Sequence, residues 1–325
     1  LIATLSGIPG VGVGRSVRCV EMGDVGIGAG IRTGGRSIVR AGAMATAGLR
    51  LDPDLIIVGV KRGGTTSLFR DLERHPGMCP LVPSARRLPL RENMKGVHYF
   101  DGDMVRSMRW YRSHFPTTIT LRRRAREAGC AFTAEASPYY FFHPLAASRA
   151  AAALPTTKFV VMLRDPVERT VSHWAEQTRN GVEVLPLEDA LAAESARVGD
   201  DAARLADGRL AESHAHEQQT YASQSEYAKS YRRWHDAIGA DRLAVVFSED
   251  YYADPATTLR TVTDFIGVPP VPIDGATLRR NAAPRPGSID PATDAMLTER
   301  FRPDVVRLAE SIGSDPPWPR FSVGS

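Results

Sequence analysis

Asp54-Leu-Ile-Ile-Val-Gly-Val60 is a continuous apolar run that passes straight into Lys61-Arg62-Gly63-Gly64-Thr65-Thr66-Ser67. A short apolar run without polar alternation predicts a strand buried on both faces of a parallel sheet. Leu68, Phe69 and Leu72 then recur at helical spacing until His75-Pro76-Gly77, so a helix follows at once, with Thr65 and Thr66 as its capping residues. Strand, glycine loop and helix in this order confine the chain to α/β folds. Two glycines let backbone close on an anion, N–H groups at the helix start point towards it, and the hydroxyls add donors. A phosphate-like group fits such a loop. Counted from Gly59, the spacing is G-x-x-x-x-G followed by Thr65-Thr66, where a Walker A loop carries Lys in place of Thr65. That difference argues against an ATPase or kinase. Taken alone, the loop is also compatible with a tight turn that binds nothing.

A second segment narrows the reading. Lys158-Phe-Val-Val-Met-Leu163 is another buried strand, and it runs into Arg164-Asp165-Pro166 and a helix whose Val167, Val171 and Trp174 share one face. Arg164 then stands at a strand's carboxyl end, where open α/β sheets bind ligands, and Ser172 lies off the apolar stripe. The pair is suited to a second phosphate. Leu243 to Phe247 forms a third strand, and Pro255 opens a helix whose Leu259, Val262, Phe265 and Ile266 give an apolar face ending near Gly267. The alternation predicts an α/β, P-loop-like three-layer fold: a central, mostly parallel sheet flanked by helices.

Lys61 to Ser67 after a strand, with Arg164 and then Ser172 eight residues later, resembles the PAPS-dependent sulfotransferase family. The similarity extends through Lys95-Gly-Val-His-Tyr-Phe-Asp101, Glu135-Ala-Ser-Pro-Tyr139, Ser225-Glu-Tyr-Ala228 and Leu243-Ala-Val-Val-Phe-Ser-Glu-Asp250, and so covers most of residues 51–310. The segments at 95–101 and 135–139 look closest to the heparan-sulfate-type and related bacterial branch. The resemblance implies transfer of the sulfuryl group of 3′-phosphoadenosine 5′-phosphosulfate (PAPS) to a hydroxyl or amine, leaving 3′,5′-adenosine bisphosphate and requiring no metal. It assigns Lys61, Arg62, Gly63, Gly64, Thr65, Thr66 and Ser67 to the 5′-phosphosulfate and Arg164 and Ser172 to the 3′-phosphate. Arg280 and Arg285, in a late Pro-containing loop, are expected to close over the same phosphate, with plain surface charge as the alternative.

Two departures from the family pattern bear on catalysis. The family's Lys before the x-G-T-T step supports the departing phosphate; here Arg62 stands there, with Lys61 before it. Arg stays protonated, so electrostatic support is the role expected of it. The heparan-sulfate-type branch carries its basic Glu two residues before the histidine of the 95–101 segment, and here that position is Gly96. His98 becomes the first candidate for the base, because a neutral imidazole can take a proton near pH 7. Glu92 and Glu135 stand as substitutes.

The remaining sequence sets bounds. A chain of 325 residues, 43% apolar, can bury one large core, so residues 51–325 are expected to form a single domain. Residues 1–50 read as a Gly-rich, weakly structured lead and match a signal peptide poorly; whether they belong to the mature protein stays open. A net charge of +4 suits an anionic ligand without calling for nucleic acid. No run approaches the roughly 18 apolar residues of a membrane span. Cys19, Cys79 and Cys130 have no metal-ligand spacing and give no complete disulfide framework, which fits a reducing cytoplasm. Arg122, Arg123, Arg124 and Arg126 read as a solvated helical face, and His214 and His216 lack a third metal ligand. The Ala-rich stretch from about 182 to 225 suits a helical lid over an acceptor cleft. Three function classes stay in view: the sulfotransferase, acting on a carbohydrate or small molecule; a non-catalytic PAPS-binding homologue; and a P-loop phosphotransferase.

Overall fold

A computed structural model describes residues 39–82, 95–102, 104–270 and 289–322. Four strands lie side by side in the order β2-β1-β3-β4, where β1 is Leu55–Gly59, β2 Ala134–Ala136, β3 Lys158–Leu163 and β4 Leu243–Phe247. All three pairings are parallel, with Leu55 opposite both Ala134 and Lys158, and Phe159 opposite Leu243. The helices that matter for the site are α1 (Thr65–Leu72), α2 (Thr118–Ala128), α3 (Ala146–Ala153), α4 (Pro166–Arg179), α5 (Leu187–Val198), α6 (Asp201–Ala206), α7 (His214–Gln218), α8 (Tyr227–Ile238), α9 (Ser248–Ala253), α10 (Pro255–Ile266) and α11 (Pro291–Ile312).

The period-2 geometry of the strands sorts their apolar residues into two cores. Ile56, Val58, Phe159, Val161 and Leu163 pack with Ala146 and Ala150 of α3, Val167 and Val171 of α4, Trp234 of α8 and Phe301 of α11. From the opposite face, Leu55, Ile57, Val160 and Met162 meet Leu68, Phe69 and Leu72 of α1 and Leu259 and Val262 of α10. Both faces of β1 and β3 are therefore covered, which is why these strands read as unbroken apolar runs. Each fully buried Val, Leu, Ile, Phe or Met side chain among them contributes about 1.5–3 kcal/mol. The result is the three-layer α/β/α arrangement, with the described strands parallel throughout.

Local detail differs from the sequence reading in three places. Helix α1 is capped by Gly64 in the left-handed region (φ 95°), with Thr65 and Thr66 as its first two residues rather than its cap. A glycine tolerates that backbone, and the threonine hydroxyls stay available in front of the loop. Strand β2 has no counterpart among the strands expected from the sequence; it is only three residues long, too short for a period to register. Finally, described structure begins before Leu51. Residues 39–45 are helical, Ala43 and Ala47 are buried, and Arg40 donates to the Ser113 hydroxyl at 2.9 Å and the Val82 carbonyl at 3.1 Å.

The strand order decides where ligands can bind. From β1 the chain crosses to β2 on one side, while β3 lies on the other, so the connections diverge at the carboxyl ends of β1 and β3. A crevice opens at such a switch point, and the Lys61–Ser67 loop and Arg164 both emerge there.

Candidate active site

The loop after β1 is shaped by close contacts. A Cβ added to Gly63 would lie 2.6 Å from the Met162 carbonyl oxygen of β3, so only glycine lets the loop pass so near the neighbouring strand. Arg62 itself adopts φ 69°, an unusual conformation for a residue with a side chain. The Ser67 N–H is taken by the Gly64 carbonyl at 2.9 Å, while the N–H groups ahead of it open the helix, where no intrahelical acceptor exists. Partial positive charge therefore gathers at the mouth of the loop.

At that mouth Lys61, Arg62 and Arg164 are each engaged by a carboxylate. Lys61 Nζ donates to Glu217 Oε1 and Gln218 Oε1 of α7, both at 3.0 Å. Burial pulls its pKa below the usual lysine range, with Glu217 opposing that shift. Arg62 Nε donates to Ser172 Oγ at 3.0 Å and Nη1 to Glu176 at 2.5 Å, both on α4. Arg164 Nη2 donates to Glu168 at 2.8 Å and Nη1 reaches the Arg62 carbonyl at 3.3 Å. The loop residues, Arg164 and Ser172 are thus brought into one crevice. Arg280, Arg285 and Glu92 lie outside the described residues.

Glu176, Glu217 and Arg169 belong to this constellation and were not singled out from the sequence. Glu176 follows Ser172 by one helical turn, which was a readable signal. Glu217 comes from a distant helix and gave none. Arg169, wholly buried, donates to Ser225 Oγ at 2.5 Å, to the Tyr221 carbonyl and, at 3.4 Å, to the Lys61 carbonyl. It ties the loop to the Ser225–Ala228 segment.

On the other side of the mouth lies the segment from Lys95 to Asp101. It is pinned against the end of β2: the Ala136 N–H donates to the Lys95 carbonyl at 2.6 Å, the Val97 N–H to Glu135 Oε2 at 2.7 Å and the His98 N–H to Ser137 Oγ at 3.1 Å. Glu135 also accepts from Tyr111 at 2.8 Å and Ser137 at 2.9 Å, so both its carboxylate oxygens are occupied in the core. Burial raises its pKa, and those donors oppose the rise. A Cβ at Gly96 would lie 2.4 Å from the Ala136 carbonyl oxygen and 2.6 Å from Ser137 Oγ. This backbone path leaves no room for a side chain at that position.

His98 adopts φ 50°, and its half-exposed ring sits 2.7 Å from Asp101 Oδ2 through Nδ1. Burial lowers its pKa, yet the Asp101 hydrogen bond and charge, with Glu135 and Glu217, carry the net shift upward from 6.5. With Nδ1–H donated to Asp101, the lone pair of the neutral ring falls on Nε2. The two histidines of α7 differ from His98. His216 is buried and held by Tyr139 at 2.7 Å, with its pKa lowered to about 4, chiefly by burial. His214 on the same helix is exposed. Helix α2, with its arginine run, buries none of its residues. Among the described residues no helix is long and apolar enough to cross a membrane, and no three His, Cys, Asp or Glu side chains gather to hold a metal ion.

Comparison with known proteins adds a separate line of support. The profile of the Sulfotransferase family matches residues 53–272. Human heparan sulfate glucosamine 3-O-sulfotransferase 6 is 30% identical over 227 residues, 70% of this chain and 56% of that protein. The bifunctional heparan sulfate N-deacetylase/N-sulfotransferase 1 of Caenorhabditis elegans is 25% identical over 68% of this chain and 23% of its own length. The chain thus spans about half, or less, of the curated relatives it matches. A crystal structure of a sulfotransferase from Alicyclobacillus acidocaldarius superposes with a TM-score of 0.55 at 26% identity, covering 82% of this chain and 98% of that one.

Proposed function

The chain belongs to the sulfotransferase family, and from that premise we propose that it transfers the sulfuryl group of PAPS to a hydroxyl or amine of a carbohydrate acceptor. The observation that carries this reading is the meeting of the Lys61–Ser67 loop with Arg164 and Ser172 at the sheet's switch point, two phosphate-binding elements in one crevice. The relatives named for heparan sulfate support the carbohydrate class.

The residues divide the chemistry among themselves. His98 Nε2 takes the proton of the acceptor as its oxygen or nitrogen attacks sulfur, and Asp101 holds the ring and stabilises the imidazolium that forms. The bond from sulfur to the bridging oxygen breaks, and its electron pair goes to the departing 5′-phosphate. Lys61, Arg62 and the N–H groups opening α1 stabilise that growing charge. Arg164 and Ser172 hold the 3′-phosphate, fixing the donor in line with the acceptor. Gly96 supports His98 as base, since the backbone leaves no room for a carboxylate side chain there. Glu135 serves as the buried post on which the 95–98 segment rests.

Thermal stabilisation by 3′,5′-adenosine bisphosphate but not by ATP with magnesium, followed by transfer of ³⁵S from labelled PAPS to N-desulfated heparan sulfate, tests the reading. Stabilisation without any transfer leaves a binding protein in place of the enzyme. Stabilisation by ATP with magnesium alone favours the phosphotransferase class.

A further inference from the structure

Among the described residues, Lys95 is the cation that reaches the hydroxyls of Thr65 and Thr66. Its Nζ donates to Thr66 Oγ1 and lies 3.5 Å from Thr65 Oγ1, so the ammonium stands in front of the first turn of α1. The loop's own cations point elsewhere: Lys61 towards Glu217 and Gln218 of α7, Arg62 towards Ser172 and Glu176 of α4. Among the described residues Lys95 forms an ion pair with no carboxylate, and its backbone is clamped by the Ala136 N–H at 2.6 Å. A largely buried ammonium with only hydroxyl partners is electrostatically incomplete until an anion arrives.

Resting on the sulfuryl-transfer reading above, we propose that Lys95 is a further catalytic residue, whose ammonium donates a hydrogen bond to the bridging oxygen between sulfur and the 5′-phosphate as that bond breaks. Three observations fit this role. The position opposite Thr65 and Thr66 is the one from which a side chain meets a phosphate seated on the loop. The segment that carries Lys95 also carries His98, so the group serving the leaving oxygen and the group serving the acceptor sit on one pinned strand of backbone. Burial, with Arg70 of α1 and Arg62 of the loop adding repulsion against the pull of Glu176, brings the Lys95 pKa down to about 8. A phosphate released at a pKa of about 6 does not take that proton, so the ammonium stays charged through the step and no proton is left unaccounted for.

The test uses the whole chain, ³⁵S-labelled PAPS and N-desulfated heparan sulfate, with label counted both in the polysaccharide and as free sulfate. Lys95→Met is expected to lower single-turnover transfer by about 10²-fold or more, the loss typical of removing one donor from a developing oxyanion. Calorimetric affinity for 3′,5′-adenosine bisphosphate should change by less than about tenfold, a split between turnover and binding that a folding defect does not produce. Wild-type kcat/KM should fall as pH rises through about 8, and Lys95→Arg, which keeps its charge, should lose that alkaline limb. A Lys95→Met protein within about threefold of wild type, or a Lys95→Arg protein with the wild-type alkaline limb, overturns the assignment. A wild-type protein that binds 3′,5′-adenosine bisphosphate but releases label to neither polysaccharide nor water overturns the catalytic reading itself.

Discussion

At the scale of single residues, the site works by constraining groups that are ordinary in isolation. His98 becomes a directed base only because Asp101, three residues on, accepts from Nδ1 and leaves Nε2 free. Since Asp101 contributes to raising the His98 pKa, kcat/KM is expected to climb with pH through a value above 6.5 as the ring loses its proton. Asp101→Asn removes the raising charge, so the acid limb should move to lower pH; a limb that stays fixed separates the two residues. His98→Ala should cost about 10²–10⁴-fold in turnover, the usual range for a general base, with affinity for 3′,5′-adenosine bisphosphate retained. Near-normal turnover with intact donor binding removes His98 from the mechanism. Arg62→Ala tests the opposite end of the reaction, since support for a departing phosphate predicts that turnover suffers more than donor affinity.

The same logic at the scale of elements concerns how loops are held. Gly63 passes so close to the Met162 carbonyl that Gly63→Ala must push β1's loop away from β3, and overpacking of this kind costs about 1–3 kcal/mol. A melting temperature unchanged from wild type would show that the loop shifts freely. Helix α4 begins at Asp165, whose Oδ1 accepts the Val167 and Glu168 N–H groups at 2.9 and 3.0 Å and whose Oδ2 accepts from Arg320 at 2.8 Å. Asp165→Ala therefore removes a helix cap and a tie to the chain's far end, with an expected loss of about 0.5–2 kcal/mol from the cap alone. Denaturant unfolding measures it. Because α4 also carries Ser172 and Glu176, the same variant should weaken donor binding, an effect a purely structural cap elsewhere in the fold does not have.

For the molecule as a whole, three of the crevice's cations are held by carboxylates before a ligand enters. Lys61 pairs with Glu217 of α7, and Arg62 and Arg164 pair with Glu176 and Glu168 of α4. An incoming phosphate exchanges these carboxylates for its own oxygens, so binding links the loop, α4 and α7. Ligand at about 100 times its Kd stabilises a folded protein by about 2.7 kcal/mol, and 3′,5′-adenosine bisphosphate should raise the melting temperature accordingly.

Much of this was legible in the order of residues. β3 and β4 run over the expected residues, β1 lies within the expected run and α10 ends at its glycine, while α1 stops at Leu72, just ahead of His75-Pro76-Gly77, because strands buried on both faces and capped amphipathic helices obey local rules. The family follows from motifs that keep their spacing along the chain. Other features depend on groups far apart in sequence. In the sequence Gly96 marks only a missing base, and the approach of the Ala136 carbonyl is what shows that no side chain fits there. Glu217 meets Lys61 across 156 residues, and Lys95 meets Thr66 across 29. Neither pairing leaves a periodic or spaced trace, because side chains are oriented by packing after the backbone has folded. A parallel α/β fold with an anion-binding loop follows from residue order, since both are consequences of local backbone chemistry. Tertiary structure alone decided which cation faces the loop, since that depends on burial and on partners that only the folded chain brings within hydrogen-bonding distance.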